Sequence, residues 1–326
     1  MGGRRGLGGR MLGALIAATT LACAALAQTY PTRQIELVVP FVAGGTTDNM
    51  ARLIAQGLSD KWGQPVIVSN RPGGGSTIGT SIAAKAAPDG HTLLISTFAL
   101  AVNSSLQKTP YDPVKDFTAI TEISTIPLML VVHPDLPVTT LKQFIDYAKA
   151  QPAGVDYATS GAGTSTHLAG EMFKAMTGAR LVQVPFKGNA EVMNALLGGH
   201  VKAHFGLSAS SLQHVRAGKL RVLAVTTEKR LTDLPDVPTV AELGYPDYEI
   251  SSWQGVFAPA GTPREIVDRL GHEIVALIRS PEVTARIRNE GSVPIASTPA
   301  EFAARFKTEV EKWTKVIKAA GLATTN

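Results

Sequence analysis

Cysteine is nearly absent from this chain of 326 residues, and the excess of basic over acidic side chains is small. The single cysteine is Cys23, which lies in an N-terminal segment that we expect to be removed. The mature chain would then have no disulfide and no thiol nucleophile. The formal net charge is +5, and the chain without residues 1–27 has 28 basic against 26 acidic side chains. A bias this small gives no indication of nucleic-acid binding.

Long hydrophobic runs are also lacking, with one exception at the N-terminus. Three arginines precede an almost uncharged stretch from Met11 to Leu26, and Ala25-Leu26-Ala27 supplies a small-residue cleavage signal. This order predicts a signal peptide over residues 1–27, a mature start at Gln28 and secretion to the periplasm. The stretch is shorter than the roughly 20 apolar residues of a membrane-spanning helix. Lipid attachment at Cys23 is an alternative, although its flanking residues are a poor match.

Catalytic and metal-binding motifs are missing as well. The nearest approach to a G-x-S-x-G nucleophile elbow runs from Gly206 to Ser210 and lacks the final glycine. His200 and His204 have the i, i+4 spacing of a zinc pair, but their flanks are typical of a strand and not of a ligand-bearing helix. We therefore predict that the protein is not an enzyme and holds no metal.

The glycine patterns argue against a nucleotide cofactor. Gly44-Gly45-Thr46 has no lysine where a phosphate-binding P-loop requires one. Gly161-Ala162-Gly163 continues as Thr164-Ser165-Thr166, so the third glycine of a dinucleotide fingerprint is missing. We predict no cofactor.

What the sequence does contain is one structural unit at two places. In the first copy, residues 35–39 predict a buried strand, which leads through Gly44-Gly45 into a helix and then into a strand over residues 65–68. The helix ends at Gly63 and has an apolar face typical of core packing, formed by Met50, Leu53, Ile54, Leu58 and Trp62.

The second copy follows about 120 residues later. Residues 155–159 predict its first strand, residues 160–165 a glycine-rich turn and residues 181–184 its second strand. Its helix ends at Gly178 and presents one apolar face, formed by Leu168, Met172, Phe173 and Met176. Two β–α–β units of this kind predict an α/β fold with mainly parallel sheets and two lobes of like architecture.

The remaining segments predict how the lobes are connected. Residues 121–127 are a candidate for a first crossing, and residues 251–257 for a strand that returns the chain. With the last helices packed on the first lobe, we expect lobe 1 to consist of residues 28–124 plus 253–326 and lobe 2 of residues 125–252. Two crossovers would then join the lobes around a ligand cleft.

Both glycine-rich turns precede helices, where a small anion can bind. The first amide N–H groups of a helix have no partner within the helix, and the helix dipole places about half a positive charge there. Glycines let the backbone approach a ligand closely. Four hydroxyl groups lie nearby, on Thr46, Thr47, Ser165 and Thr166. An alternative is that these hydroxyls only cap the helices.

A series of different short motifs follows a characteristic order and spacing along essentially the whole mature chain. They include Val39-Pro40-Phe41 with Gly44-Gly45, Asp48-x-x-Ala51-Arg52, Asn70-Arg71-Pro72-Gly73-Gly74, Pro88-Asp89-Gly90-His91, Ser160-Gly161-x-Gly163-Thr164-x-x-His167-Leu168, Pro185-Phe186-Lys187-Gly188 and Ala258-Pro259-x-Gly261-Thr262-Pro263. In these motifs the chain resembles the substrate-binding receptors of tripartite tricarboxylate transporters, often called Bug-type receptors.

The resemblance implies a type 2 periplasmic-binding-protein fold, in which two α/β lobes joined by two crossovers close on a small carboxylate. It implies that the first turn receives one carboxylate, at Phe41, Gly44, Gly45, Thr46, Thr47 and Asp48. The second turn would take the other end of the ligand, at Ser160, Gly163, Thr164, Ser165 and His167. Thr97 and Ser208 complete the expected ligand-binding set. Asp48 has a second expected role, as the ion-pair partner of Arg52.

The implied function is that of a monomeric extracytoplasmic solute receptor that serves the membrane subunits of such a transporter. The ligand would be a di- or tricarboxylate, an amino acid or an aromatic acid. Phe205-Gly206-Leu207-Ser208 replaces a segment that often carries an aspartate or asparagine, which weakens the case for an amino acid. Two alternatives are a ligand sensor for a signalling pathway and a secreted hydrolase or lyase that uses the same cleft.

Overall fold

The computed structural model describes residues 30–323, so the predicted signal peptide and Cys23 lie outside the described residues. Ten strands are assigned in this range. They are β1 Ile35–Val39, β2 Val66–Asn70, β3 Thr92–Thr97, β4 Phe117–Val132, β5 Val155–Thr159, β6 Leu181–Pro185, β7 Ala203–Leu207, β8 Arg221–Val225, β9 Ser251–Pro259 and β10 Val293–Pro294.

Helices alternate with most of these strands. They are α1 Thr46–Trp62, α2 Thr77–Ala84, α3 Ala99–Leu106, α4 Leu141–Ala150, α5 Ser165–Thr177, α6 Asn189–Leu197, α7 Ser208–Arg216, α8 Arg264–Arg279, α9 Pro281–Asn289 and α10 Pro299–Ala319, with a 3-10 turn at Gly74–Ser76. The two predicted β–α–β units are present as β1-α1-β2 and β5-α5-β6.

Eight of the ten strands form a curled sheet in the order β2-β1-β3-β9-β4-β7-β5-β6, and β8 and β10 each pair with β4 outside this order. At one end β1 lies parallel to β2 and β3, and at the other end β5 lies parallel to β6 and β7. The strand that flanks each parallel group is antiparallel to it, β9 beside β3 and β4 beside β7. The two ends of the sheet are therefore two α/β lobes with the same internal order.

Strands β4 and β9 join the two lobes. The first part of β4 pairs with β9, from Phe117 opposite Pro259 to Pro127 opposite Ser251. From Leu128 onward, β4 pairs instead with β7 and β8. The predicted crossing at residues 121–127 lies within β4, and the predicted returning strand at residues 251–257 lies within β9.

Apolar periodicity explains why the helices that carry the two turns pack as they do. On α1 the side chains of Met50, Ile54 and Leu58 are buried, whereas Leu53 and Trp62 are partly buried. On the predicted apolar face of α5, Leu168, Met172 and Phe173 are buried and Met176 is partly buried. Both helices end as predicted, at Gly63 and Gly178, each in the left-handed conformation that glycine adopts without strain.

The C-terminal helix α10 packs on the crossing strands. Phe302 and Phe306 lie with ring centroids 5.0 Å from that of Phe257, and Trp253 is 5.6 Å from Phe302. Offset and edge-on contacts of this kind stabilise a core beyond the area that they bury. The helix thereby holds β9, and with it the returning crossover, against the first lobe.

Candidate functional site

Two turns occupy equivalent places in the two lobes. We define turn 1 as Phe41–Asp48, between β1 and α1, and turn 2 as Ser160–His167, between β5 and α5. Each turn follows the carboxyl end of a parallel strand, which is where open α/β sheets bind ligands. The sequence-based prediction placed both turns at these positions.

Turn 1 is built around the buried carboxylate of Asp48. Its Oδ2 accepts hydrogen bonds from the Gly44 amide at 2.8 Å and from Arg52 Nε at 2.9 Å. Its Oδ1 accepts from Asn70 Nδ2 at 2.9 Å, and the same nitrogen donates to the Phe41 carbonyl at 3.2 Å. Both carboxylate oxygens are thus engaged within the turn. The expected ion pair between Asp48 and Arg52 is confirmed.

The helix N-terminus at turn 1 is capped by backbone only. The N-cap residue is Gly45, and no side chain accepts a hydrogen bond there. Thr46 and Thr47 lie inside the helix and are therefore not N-caps. Among residues 30–323, the amides of Gly45, Thr46 and Thr47 have no hydrogen-bond acceptor. These amides are the donors that a bound carboxylate requires.

The two glycines of turn 1 differ in conformation. Gly44 has φ +83°, in the left-handed region, whereas Gly45 has φ −80° and ψ 169°, which any residue can adopt. A Cβ atom added at Gly45 would lie 3.7 Å from the Val42 carbonyl oxygen, an ordinary contact. Gly44 is required by backbone geometry, and Gly45 leaves open space beside the helix N-terminus.

Turn 2 is organised by hydroxyl groups and one imidazole. Thr164 is the N-cap of α5, and its Oγ1 accepts from the His167 amide and donates to the Gly161 carbonyl at 2.7 Å. The Ser160 amide donates to Thr166 Oγ1 at 3.1 Å. The Gly163 amide donates to His167 Nδ1 at 3.1 Å. The expectation that hydroxyls cap this helix thus applies to Thr164, and neither Ser165 nor Thr166 is the N-cap.

Burial opposes the charged form at Asp48 and at His167, with different results. At Asp48, hydrogen bonds from Arg52, Gly44 and Asn70 outweigh burial and hold the pKa of the carboxyl below its ordinary value. At His167, burial lowers the pKa of the imidazole, although Glu171 opposes this change. The side chain behind turn 1 is therefore an anion, whereas the one behind turn 2 is neutral at neutral pH.

Thr97 and Ser208, which complete the predicted set, each form a side-chain hydrogen bond with the backbone of another residue. Thr97 ends β3, and its Oγ1 accepts from the Ala99 amide at 3.3 Å. Ser208 begins α7 in the second lobe, and its Oγ donates to the Gly291 carbonyl of the first lobe at 3.3 Å. Ser208 therefore bridges the lobes.

A cavity of about 970 Å³ adjoins the Ser208–Gly291 bridge between α7 and the α9–β10 segment. Its lining includes Ser208 and Gly291 but no residue of turn 1 or turn 2. Another close approach between the lobes is at turn 2, where a Cβ added at Gly163 would lie 2.5 Å from Leu106. The structure thus brings together the predicted residues within each turn, and no hydrogen bond joins the two turns among residues 30–323.

Asn70 is a site residue that the sequence-based reasoning did not assign. It connects the end of β2 to the Phe41 carbonyl and to Asp48, and its Oδ1 accepts from Arg52 at 3.3 Å. Asn70 belongs to the Asn70-Arg71-Pro72 motif, one of the motifs of the family resemblance, to which the sequence by itself assigns no function. That motif was the available signal.

The structure gives no indication of a metal site in the part of the chain that it describes, where no group of three or more His, Cys, Asp or Glu side chains could hold an ion. His204 lies in β7, and its Nδ1 is 2.9 Å from the Ala158 carbonyl oxygen. Burial lowers the pKa of His204 to about 4. Within residues 30–323, no helix combines the length and apolar character needed to cross a membrane.

Two α/β lobes joined by two crossing strands, each with a helix N-terminus at the end of a parallel strand, define a solute-binding protein of the periplasmic-binding-protein class. The sequence pattern of the tripartite tricarboxylate transporter family receptor matches residues 50–322. The chain belongs to this receptor family. It is 39% identical to protein BugT of Bordetella pertussis over 314 residues, which are 95% of this chain and 96% of that protein.

Solved structures of similar proteins have the same fold. An adipate-bound protein of R. palustris is 41% identical, with a TM-score of 0.76 over 90% of this chain and 99% of that one. MatC of Rhodopseudomonas palustris, with bound malate, is 30% identical, with a TM-score of 0.72 over 88% and 100% of the two chains. A solute-binding protein from Polaromonas, 29% identical, has a TM-score of 0.80 over 89% and 100% of the chains. The type 2 fold with two lobes and two crossovers is thereby confirmed.

Proposed function

We propose that the protein is a periplasmic receptor that binds a small dicarboxylate between turn 1 and turn 2 and delivers it to the membrane subunits of a tripartite tricarboxylate-type transporter. The observation behind this proposal is the pair of equivalent helix N-termini, one in each lobe. Two such termini fit a ligand with an anionic group at each end. The bound adipate and malate of the two relatives support this ligand class.

In this proposal, the amides of Gly45, Thr46 and Thr47 hold one carboxylate. The opposite carboxylate lies at the start of α5, near Ser165. Thr97 and Ser208 are the further residues that we propose to contact the ligand. An amino acid is a poorer candidate, because the Asp48 carboxylate already accepts three hydrogen bonds within the turn and is paired with Arg52.

The proposed protein is a monomer that releases its ligand unchanged. Three observations support a receptor without catalysis: the family consists of solute-binding receptors, the turns offer amides and hydroxyls, and no nucleophile is paired with a base at either turn. His167 Nδ1 accepts from a backbone amide and so does not act as a base towards a hydroxyl.

Calorimetry with adipate and malate tests the ligand class, with the neutral diamides adipamide and malamide as matched controls. We expect at least one of the two acids to bind and both diamides to bind at least tenfold more weakly, because a neutral amide gains little from a helix dipole. Mass analysis after incubation should recover the acid unchanged. Equal affinity for acid and diamide would contradict the proposal, and conversion of the acid would contradict the receptor without catalysis.

A further inference from the structure

The two turns share one hydrogen-bond arrangement that their side chains do not suggest. In each turn a glycine with positive φ donates its amide to the side chain four residues later. The pairs are Gly44 with Asp48, at 2.8 Å, and Gly163 with His167, at 3.1 Å. Gly163 lies 119 positions after Gly44, so the arrangement recurs at the same place in each lobe. A carboxylate does in turn 1 what an imidazole nitrogen does in turn 2.

This hydrogen bond decides which amides remain for a ligand. An amide that donates to a side chain of its own turn is not free to donate to a ligand. The next amides, Gly45 to Thr47 in turn 1, have no acceptor among residues 30–323 and begin the helix. The accepting side chain, Asp48 in turn 1 and His167 in turn 2, fixes the backbone conformation of its turn through this hydrogen bond. Asp48 and His167 therefore belong to the support of the turns and not to the contact surface of the ligand.

We propose that His167 is a positioning residue that keeps turn 2 ready for a carboxylate only while its imidazole is neutral, whereas Asp48 keeps turn 1 ready across the acidic range. The inference rests on the proposed function and adds a pH dependence confined to turn 2. It follows from the identity of the accepting atom. Nδ1 of neutral imidazole can accept the Gly163 amide, but protonated Nδ1 is itself a donor. Two donors would then face each other, and turn 2 could not keep this geometry.

The surroundings of His167 indicate where the added charge would go. The titratable groups that face His167 among the described residues are Glu171 and Lys174 of α5 and Tyr157 of β5. Glu171 Oε1 is 3.8 Å from His167 Nε2 and also accepts from Tyr157 at 2.9 Å. Lys174 Nζ lies 2.9 Å from Glu171 Oε2, so Glu171 already has one cationic partner. A charge on His167 would be compensated by the same carboxylate, and Lys174 would oppose it, so the ligand gains little attraction from the new charge. Loss of the Gly163 hydrogen bond is then the larger effect, and carboxylate affinity falls in acid.

Three variants of the full secreted chain separate positioning from simple support of the fold. His167→Asn retains an acceptor at the place of Nδ1 and cannot be protonated in this range. His167→Ala removes the acceptor. Asp48→Asn changes turn 1 alone. It removes one of the two oxygens that accept from Gly44, Arg52 and Asn70, so it should weaken binding at every pH and keep the pH dependence of wild type. The measurements are adipate and malate affinity between pH 5 and 8, and hydrogen exchange of the Gly163 amide without ligand.

At pH 8 we expect wild type and His167→Asn to bind the acid alike, and His167→Ala to bind about tenfold more weakly, the effect of about one hydrogen bond. As the pH falls, the affinity of wild type relative to His167→Asn should decrease, and exchange at Gly163 should lose its protection in wild type only. Dividing by the His167→Asn values removes the titration of the ligand itself.

The outcomes distinguish the inference from the function on which it rests. If wild type binds neither acid, the proposed function fails, and unchanged Gly163 protection in acid would overturn the inference independently. If wild type binds but its affinity runs parallel to that of His167→Asn at every pH, the inference alone is wrong. Equal binding by His167→Ala and wild type at pH 8 would overturn it as well.

Discussion

At the scale of single residues, neighbouring glycines in turn 1 have different tasks. Gly44 has the left-handed backbone conformation that other residues adopt only with strain. Gly45 has ordinary backbone angles and space around its missing side chain, so the fold does not require glycine there. A glycine that the backbone does not need, at the start of a helix with unpaired amides, fits the close approach of a ligand that we propose.

A pair of substitutions should separate these tasks. We expect Gly45→Val to reduce adipate or malate affinity by at least tenfold, because its methyl groups would occupy the space beside the amides of Thr46 and Thr47. Its cost in stability should be no more than ~1 kcal/mol, the typical difference between N-cap residues. Gly44→Ala should instead lower the free energy of unfolding by about 1–2 kcal/mol, because of its positive φ. Calorimetry and thermal melting measure both quantities.

Thr47→Ala serves as the milder control. It removes one hydroxyl while leaving the amides in place, so affinity should fall by ~0.5–1.5 kcal/mol, or by up to ~3 kcal/mol if that hydroxyl donates to the charged carboxylate. Unchanged binding by Gly45→Val would show that the amides of turn 1 are not the anion site.

At the scale of secondary-structure elements, helix α10 and strand β4 are joined by a buried ion pair. Arg305 Nη1 on α10 lies 2.8 Å from both carboxylate oxygens of Glu122 on β4. Lys312, which follows Arg305 on the same helix, forms an ion pair with Glu249, just before β9. Burial nevertheless raises the pKa of Glu122 to about 7, because it outweighs the effect of Arg305, and the nearby Glu309 adds to the rise.

The raised pKa of Glu122 predicts that the free energy of unfolding depends on pH. The folded state binds a proton on Glu122 more tightly than the unfolded state does. The stabilisation of the fold by this proton is therefore greatest below pH 4.5 and is lost as the pH rises through 7. Glu122→Gln imitates the protonated form at every pH. Its free energy of unfolding relative to wild type should therefore increase by roughly 3 kcal/mol between pH 4.5 and 8.

Denaturant unfolding of both proteins across this pH range measures the difference. Glu282→Gln, which removes an exposed carboxylate paired with Arg286, is the matched control and should shift stability little at any pH. A difference between Glu122→Gln and wild type that does not vary with pH would contradict the raised pKa.

At the scale of the whole molecule, the site depends on two lobes held in contact. Ser208 and Gly291 meet across the lobes, and so do Gly163 and Leu106. A ligand that joins turn 1 to turn 2 should therefore stabilise both lobes together, by about 2.7 kcal/mol when present at 100 times its Kd. A single cooperative transition that moves to higher temperature with added acid is the expected result.

The secreted form is a second matter for the whole molecule. We predict that export removes residues 1–27 and leaves Gln28 as the first residue, because an arginine-rich start, an apolar stretch and small residues occur in that order. Intact-mass measurement of the protein recovered from the periplasm tests this. A mass that corresponds to a lipid-modified start at Cys23 would contradict it, and a variant with Ala27→Leu should be processed poorly.

Local patterns in the sequence predict the order and type of the elements around both turns. Strand β1, helix α1 and its end at Gly63 follow from a β-branched run, an apolar stripe and a glycine, which act over a few residues each. The apolar pattern of the C-terminal helix starts at Phe302, whereas the helix begins at Pro299. The difference arises because Thr298 and Glu301 form a capping box, a local signal that the apolar pattern does not contain.

The side chains that support the turns depend on long-range packing and cannot be read from local patterns. Asn70 reaches Phe41 and Asp48 because β1 and β2 pair in one register, across a separation of 29 and 22 residues. Ser208 meets Gly291 across the lobes, 83 residues away. Contacts of this kind require positions accurate to within about 0.5 Å, and these positions arise from the packing of whole strands and helices. Local propensity contains no such distances, so the sequence indicated where an anion could bind, and the fold determined which amides remain to bind it.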